Sequence, residues 1–227
     1  MTGMANIAYV SGYREQCGKR AVVFAPENLQ EKKTLLLRDG YTAARRRYAA
    51  VVEQCHLHTS ETVVFDPSGM EVYRYRNLDD DCEFIEMIRH GNGHLYLLFR
   101  VDLHGYGVFD LTDKKEFLYV PEEGFIWTGV HHNPENDVLA VSGCFWACPN
   151  GLHLLDFKNP LQETKWVDAQ EALDGGYDRY DSVEFIRWAQ GALIVEAYEI
   201  MEENGKWTSA PKELVIDEKE YRAWLRA

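Results

Sequence analysis

"FIEMIRHGNGHLYLLFRVDLHGYGVFDLTDKKEFLYV", residues 84–120, is the stretch on which the fold turns. "FIEMIRH" reads as a strand, Gly91-Asn92-Gly93 as a tight turn, "HLYLLFRVD" as a nearly continuous apolar second strand, "YGVFDL" as a third and "KEFLYV" as a fourth. β-Branched and aromatic residues fill the strands, and turn residues separate them. A second strand as apolar as Leu95 to Val101 does not alternate, so it belongs to a sheet covered on both faces. Face-to-face stacking of such units supplies that cover.

The pattern recurs. "AVVFAP" around Phe24, "TVVFDP" around Phe65, "YGVFDL" around Phe109, "HLLDFK" around Leu155 and "ELVIDE" around Ile216 are five similar apolar stretches. Four of them carry an aspartate: Asp66, Asp110, Asp156 and Asp217. Successive spacings are 41, 44, 46 and 61 residues, and the last gap holds an insertion, "MEENGKWTSAPK". A period near 45 residues is the length of a propeller blade. The next unit repeats the four strands with "FIWTGVHH", "VLAVSGCFWA", "GLHLLDF" and "ETKWVD", and the following one has "SVEFIRWA", "LIVEAYEIM" and "KELVID".

The chain thus resembles the β-propeller repeat proteins in architecture, across residues 60–217. The resemblance carries no family signature, since the Gly-His and Trp-Asp markers of the commonest propeller repeats are absent. The expected fold is all-β: a propeller-like array of four to five antiparallel four-stranded blades in one domain, residues 1–227, with a short C-terminal helix. A β-sandwich of the same strands is the rival. Residues 41–55, "YTAARRRYAAVVEQC", have apolar positions at helical spacing but also align with a second strand, and strand is the expectation. Two short helices are expected where Asp168 with Glu171, and Asp217 with Glu220, form capping boxes.

Composition narrows the partners. The chain has 227 residues, 46% of them hydrophobic, enough for a sizeable core. Asp and Glu outnumber Lys and Arg 37 to 24, a formal charge of −13, which works against a nucleic-acid backbone or an anionic membrane surface. The Arg45-Arg46-Arg47 triplet is too short to reverse that. No apolar run reaches membrane-helix length, and the N-terminus lacks the charged-then-apolar order of a signal peptide, so a cytoplasmic location is expected. Five cysteines without an export signal imply free thiols.

Candidate sites are few. Cys144 and Cys148 fall at the end of a second strand and in the loop after it; four residues apart in an extended strand is about 13 Å, too far for a disulfide. Zinc sites more often use a two-residue spacing. Buried thiols beside a turn are the expectation, with no metal. Trp146 between them is either a core plug, the favoured reading, or an exposed stacking platform. His131 and His132 alternate across a strand, and His56 and His58 share a face without a nameable third ligand. His104, with Arg100 and Asp102, makes the most polar second-strand exit: a catalytic group, or on the plainer reading a loop hydrogen-bond network. Blade-to-blade connections leave on the same side as these loops, and they carry Asp79-Asp80-Asp81, Glu122-Glu123, Asp174, Asp178 and Asp181.

Nucleotide-binding glycine loops, zinc-protease and serine-hydrolase motifs are all missing, so no cofactor is expected and no catalytic residue is named. The expected function is a non-enzymatic binding module that presents an acidic loop face to a protein, peptide or cationic partner. Arg100, Asp102, His104, Trp146, Cys148, Asp178 and Asp181 are its candidate residues. The alternative is a hydrolase or lyase acting on a small or sugar substrate at a channel mouth. Denatured, unreduced protein should therefore titrate five thiols, and fewer would show that a cysteine is bridged or blocked.

Overall fold

The computed structural model describes residues 2–78, 84–121 and 124–226. After a helix, α1 (Thr2–Lys19), come fifteen strands in chain order among these residues. The first sheet is β1 (Leu29–Leu36), β2 (Thr42–Val52), β3 (Cys55–Phe65) and β4 (Glu71–Asn77); the second is β5 (Ile85–Arg89), β6 (Leu95–Val101), β7 (Gly105–Asp110) and β8 (Lys115–Tyr119). The third is β9 (Ile126–Asn133), β10 (Val138–Cys144), β11 (Asn150–Asp156) and β12 (Trp166–Asp168). Two short helices, α2 (Ala169–Ala172) and α3 (Gly176–Arg179), lead to a three-stranded fourth sheet of β13 (Tyr180–Ala189), β14 (Ala192–Glu203) and β15 (Lys206–Ile216), followed by α4 (Glu218–Trp224). No helix among the described residues is long and apolar enough to cross a membrane.

Each sheet is an up-and-down meander of consecutive strands, as a propeller blade is; no strand changes sheet, as a Greek-key sandwich requires. The chain divides into two compact units, residues 1–88 with 95–124, and residues 89–94 with 125–227. In the first unit, Ala43 and Val64 of the first sheet share a core with Leu97, Phe99, Val101 and Phe109 of the second. In the second unit, Val138, Ala140, Leu152 and Leu154 of the third sheet share one with Val183, Leu193, Val195 and Ala197 of the fourth. The all-apolar reading of the middle strands holds: every residue of β7, and all of β6 after Leu95, is buried.

The aspartate that follows each third strand has a structural cause. Asp66 Oδ1 accepts the amides of Ser68 and Met70 at 2.9 Å, Asp110 Oδ1 those of Thr112 and Asp113 at 2.8 and 3.1 Å, and Asp156 Oδ1 that of Lys158 at 3.3 Å. Asp66 and Asp110 thereby close the tight turn into the fourth strand, while Asp156 opens a longer connection, residues 157–165, to β12. Asp217 follows β15, but its carboxylate accepts the Glu220 amide at 2.8 Å and caps α4 instead. The fourth sheet therefore ends at three strands. Asp168 caps α2 in the same way, through the amides of Gln170 and Glu171.

The N-terminal fifth departs from expectation. Residues 42–52 are a strand, as expected, but "AVVF" is a 3-10 turn, Ala21–Phe24, not a third strand. Its apolarity serves docking: Val23 is fully buried, and Phe24 meets the Tyr48 ring edge-on at 5.3 Å. The number of sheets is accordingly four rather than five among the described residues.

Gly107 faces Phe99 across the β6–β7 ladder, and a Cβ there would lie 2.3 Å from the Phe99 ring. Gly107→Ala should therefore lower the stability by about 1–3 kcal/mol through overpacking, measured by urea unfolding; an unchanged midpoint would show that the stacked interior has room the packing denies.

Candidate functional site

A groove of about 510 Å³ opens in the second unit, lined by Tyr177 and Asp178 of α3, Asp181 of β13, Ile200 of β14, and Trp207, Thr208 and Ser209 of β15. Register explains it. β13 pairs with β14 only as far as Tyr180 opposite Glu199, while β14 and β15 continue paired to Glu203 opposite Lys206. The hairpin tip thus projects past the sheet, and α3 with the start of β13 forms the facing wall. The tip is the "MEENGKWTSAPK" insertion.

The groove combines exposed aromatics with unpaired carboxylates. Trp207 is 72% and Tyr177 58% exposed. Neighbouring Arg179 is held by Glu199 at 2.8 Å and Asp174 at 3.3 Å, so it does not neutralise Asp178 or Asp181, whose carboxylates have no ion pair among the described residues. An aromatic face beside free carboxylates attracts a cation both by its ring quadrupole and by charge.

Tyr177 is anchored from below. Its hydroxyl donates to Asp168 Oδ2 at 2.5 Å, and burial together with the Asp168 carboxylate pushes the Tyr177 hydroxyl up. On the other side of Asp168, His153 is sandwiched between Phe125 at 3.7 Å and Trp166 at 4.4 Å, with its Nε2 3.7 Å from Asp168 Oδ2. That separation is beyond hydrogen bonding but within electrostatic reach. Burial acts to raise the Asp168 carboxyl; the His153 ring, the Tyr177 hydroxyl and the Glu171 amide outweigh it and hold the group below its usual value.

The seven candidate residues fall in both units. Asp178 and Asp181 line the groove, and Cys148 is not among its lining residues. Trp146 is 74% exposed, which corrects the core expectation: Cys148 N–H donates to Phe145 O at 3.0 Å, closing a turn beyond the ladder, and Phe145 rather than Trp146 packs back onto Phe125. The same turn corrects the burial of the thiols, since Cys144 is half-buried and Cys148 exposed; both are free. Arg100 and Asp102 share a loop network with Asn77, and His104 meets the backbone of Gly124. Arg100 Nε donates to Asp102 O at 3.2 Å, Asn77 bridges Arg100 O and the Asp102 amide, and His104 Nδ1 lies 3.0 Å from Gly124 O.

His132 bonds Asp137 at 3.0 Å, and His131 stacks on Phe185 at 3.8 Å, where burial lowers its pKa; His56 and His58 are exposed. Asp79, Asp80, Asp81, Glu122 and Glu123 lie outside the described residues. Sequence reasoning missed Tyr177, Ile200 and Trp207, for which the insertion was the available signal.

The first unit has its own cavity, about 480 Å³, lined by Tyr13, Cys17, Tyr75 and Phe99 among others. Several of its polar groups are bonded within the unit: Tyr13 to Asn77, and both Arg14 and Tyr73 to Glu116. Burial pushes the Cys17 thiol up, away from the reactive thiolate.

No known protein family's sequence pattern matches the chain, and no curated protein is similar to it. Among solved structures it is similar to a GH43 β-1,3-galactosidase, at 11% identity over 82% of this chain and 42% of that one, with a TM-score of 0.37. The chain spans less than half of that structure, and a likeness of this size bears on neither fold nor activity.

Because the Asp168 carboxyl is depressed in the folded state, its charge contributes stability that is present above the unfolded value of about 3.9 and is lost as the pH falls through the folded value. Asp168→Asn should lower stability by about 1 kcal/mol at pH 7, with a smaller gap at pH 3, below the unfolded value. A gap of equal size at both pH values in urea unfolding would assign the loss to something other than the charge.

Proposed function

We propose that this protein is a non-enzymatic binding module whose groove between α3 and the β14–β15 tip takes a lysine or arginine side chain of a basic peptide or protein. The observation that carries the reading is the pair of carboxylates, Asp178 and Asp181, without an ion pair among the described residues and beside the exposed rings of Tyr177 and Trp207. A cationic side chain fits both: the ammonium or guanidinium group meets the carboxylates, and its stem or charge lies on the rings. The formal charge of −13 adds long-range attraction that salt screens. The reading needs no cofactor, no nucleic acid and no membrane. A sugar also stacks on aromatic rings, which keeps the hydrolase or lyase alternative attached to the same groove.

Binding of a fluorescein-labelled lysine-rich decapeptide, followed by anisotropy, should weaken about tenfold in the Asp178→Asn/Asp181→Asn/Trp207→Ala variant, since the lost contacts sum to about 1.4 kcal/mol. Glu27→Gln/Glu53→Gln removes the same charge elsewhere and should leave affinity nearly unchanged. Equal weakening by both variants would reduce the interaction to bulk charge and end the groove reading. Cleavage of a saccharide panel by the wild type would favour the enzyme.

A further inference from the structure

The Arg45-Arg46-Arg47 triplet does not form one patch, because successive residues of a strand face opposite ways. Arg45 is buried, Arg47 pairs with Glu31 at 3.2 Å, and Arg46 points to the other face. On that face the register sets Lys32 of β1, Arg46 of β2, Glu61 of β3 and Arg76 of β4 directly opposite one another, in a row across the whole first sheet. Directly opposite residues of antiparallel strands share a face.

Three guanidinium groups converge on one carboxylate. Glu61 is 3% exposed and accepts from Arg46 Nη1 at 2.9 Å, Arg74 Nη1 at 3.0 Å and Arg76 Nε at 3.1 Å. Burial alone raises such a carboxyl, but the bonds from Arg76 and Arg74 hold Glu61 below its usual value, so it stays charged. Arg74 also grips Glu71 with two nitrogens and is satisfied. Arg46 uses one nitrogen and Arg76 one, with the Arg76 guanidinium 4.2 Å from the centre of the Phe24 ring, which fixes it in place. Their other N–H groups, and the Lys32 ammonium, have no partner among the described residues.

Charge is left over. Lys32, Arg46, Arg74 and Arg76 carry four positive charges against two negative ones on Glu61 and Glu71. The imbalance is regional: residues 1–78 hold 11 Lys and Arg against 8 Asp and Glu, a net +3, while residues 79–227 hold 13 against 29, a net −16. One buried carboxylate is matched by a single guanidinium fork; three crowd it, and their mutual repulsion is relieved by a further anion.

We propose that this row binds a phosphate monoester of a small molecule, with the phosphate oxygens taken by the free guanidinium nitrogens of Arg46 and Arg76 and assisted by Lys32. Guanidinium forks fit phosphate oxygens, and a phosphate monoester carries a charge near −2 that the row lacks. The site lies in the first unit and is independent of the groove reading.

The test is titration of the intact protein with inorganic phosphate, glucose 6-phosphate and adenosine monophosphate at constant ionic strength, read by arginine side-chain NMR. The Arg46 and Arg76 resonances should shift and saturate in the millimolar range, and a tighter organic ester would identify the source as a metabolite rather than free phosphate. Arg46→Gln and Arg76→Gln should each raise the Kd at least tenfold, with Arg187→Gln as the inert control. If either variant loses its far-UV circular dichroism, Lys32→Gln replaces it, and a rise of about threefold is expected. Shifts that do not saturate, that chloride reproduces, or that survive both substitutions would mean an adventitious ion only and would overturn the proposal.

Discussion

A strand with no solvent-facing side has to be covered from both directions, and β6 and β7 are such strands. The rest of the architecture follows from that requirement. In the first unit the first sheet supplies one cover, through Ala43 and Val64 against Leu97, Phe99 and Val101. Close stacking in turn dictates small details, such as the glycine at 107 that leaves room for the Phe99 ring. The third and fourth sheets solve the same problem with Leu152, Leu154, Val183 and Val195. Meander topology makes this economical in chain length, because each sheet closes with tight turns before the next begins.

The groove arises where the fourth sheet departs from its siblings. Three third strands end at an aspartate whose carboxylate accepts the amides that follow it, and each leads on to a fourth strand, but Asp217 caps a helix. The Tyr221 hydroxyl of that helix donates to Gly191 O at 2.7 Å and accepts from Asn136 Nδ2 at 2.6 Å, holding α4 on the second unit. Meanwhile β14 and β15 outrun β13, and the projecting tip meets α3. α3 is positioned by the Tyr177 contact with Asp168, which also caps α2 and faces the buried His153. A turn residue, a helix cap and an insertion thus combine into the wall of the groove, with no dedicated motif.

Much of the fold was legible in the sequence because strand signals are local. Non-alternating runs such as 95–101, glycine-asparagine turns and evenly spaced aspartates are visible one residue at a time. The 3-10 turn at 21–24 was not, since Val23 and Phe24 are apolar for docking onto Tyr48, and apolarity alone does not distinguish docking from pairing. For the site, Asp178 and Asp181 were legible as acid in a connection, while Trp207 was hidden because only the unequal lengths of β13 and β14 bring it to them. Trp146 was misjudged as a core plug because a tight turn at 145–148 moves it past the ladder. The arginine row was invisible for the same reason: cross-strand register, not sequence proximity, assembles Lys32, Arg46 and Arg76.

The reading proposed for the groove of the second unit is that it holds the cationic side chain of a basic partner. It is tested most directly by mapping backbone amide and tryptophan indole resonances during titration with an unlabelled lysine-rich peptide. The account predicts saturable shifts at Tyr177, Asp178, Asp181 and the Trp207 indole, with the other five tryptophans little changed. Shifts spread evenly over acidic surface residues, or centred away from Trp207, would contradict it.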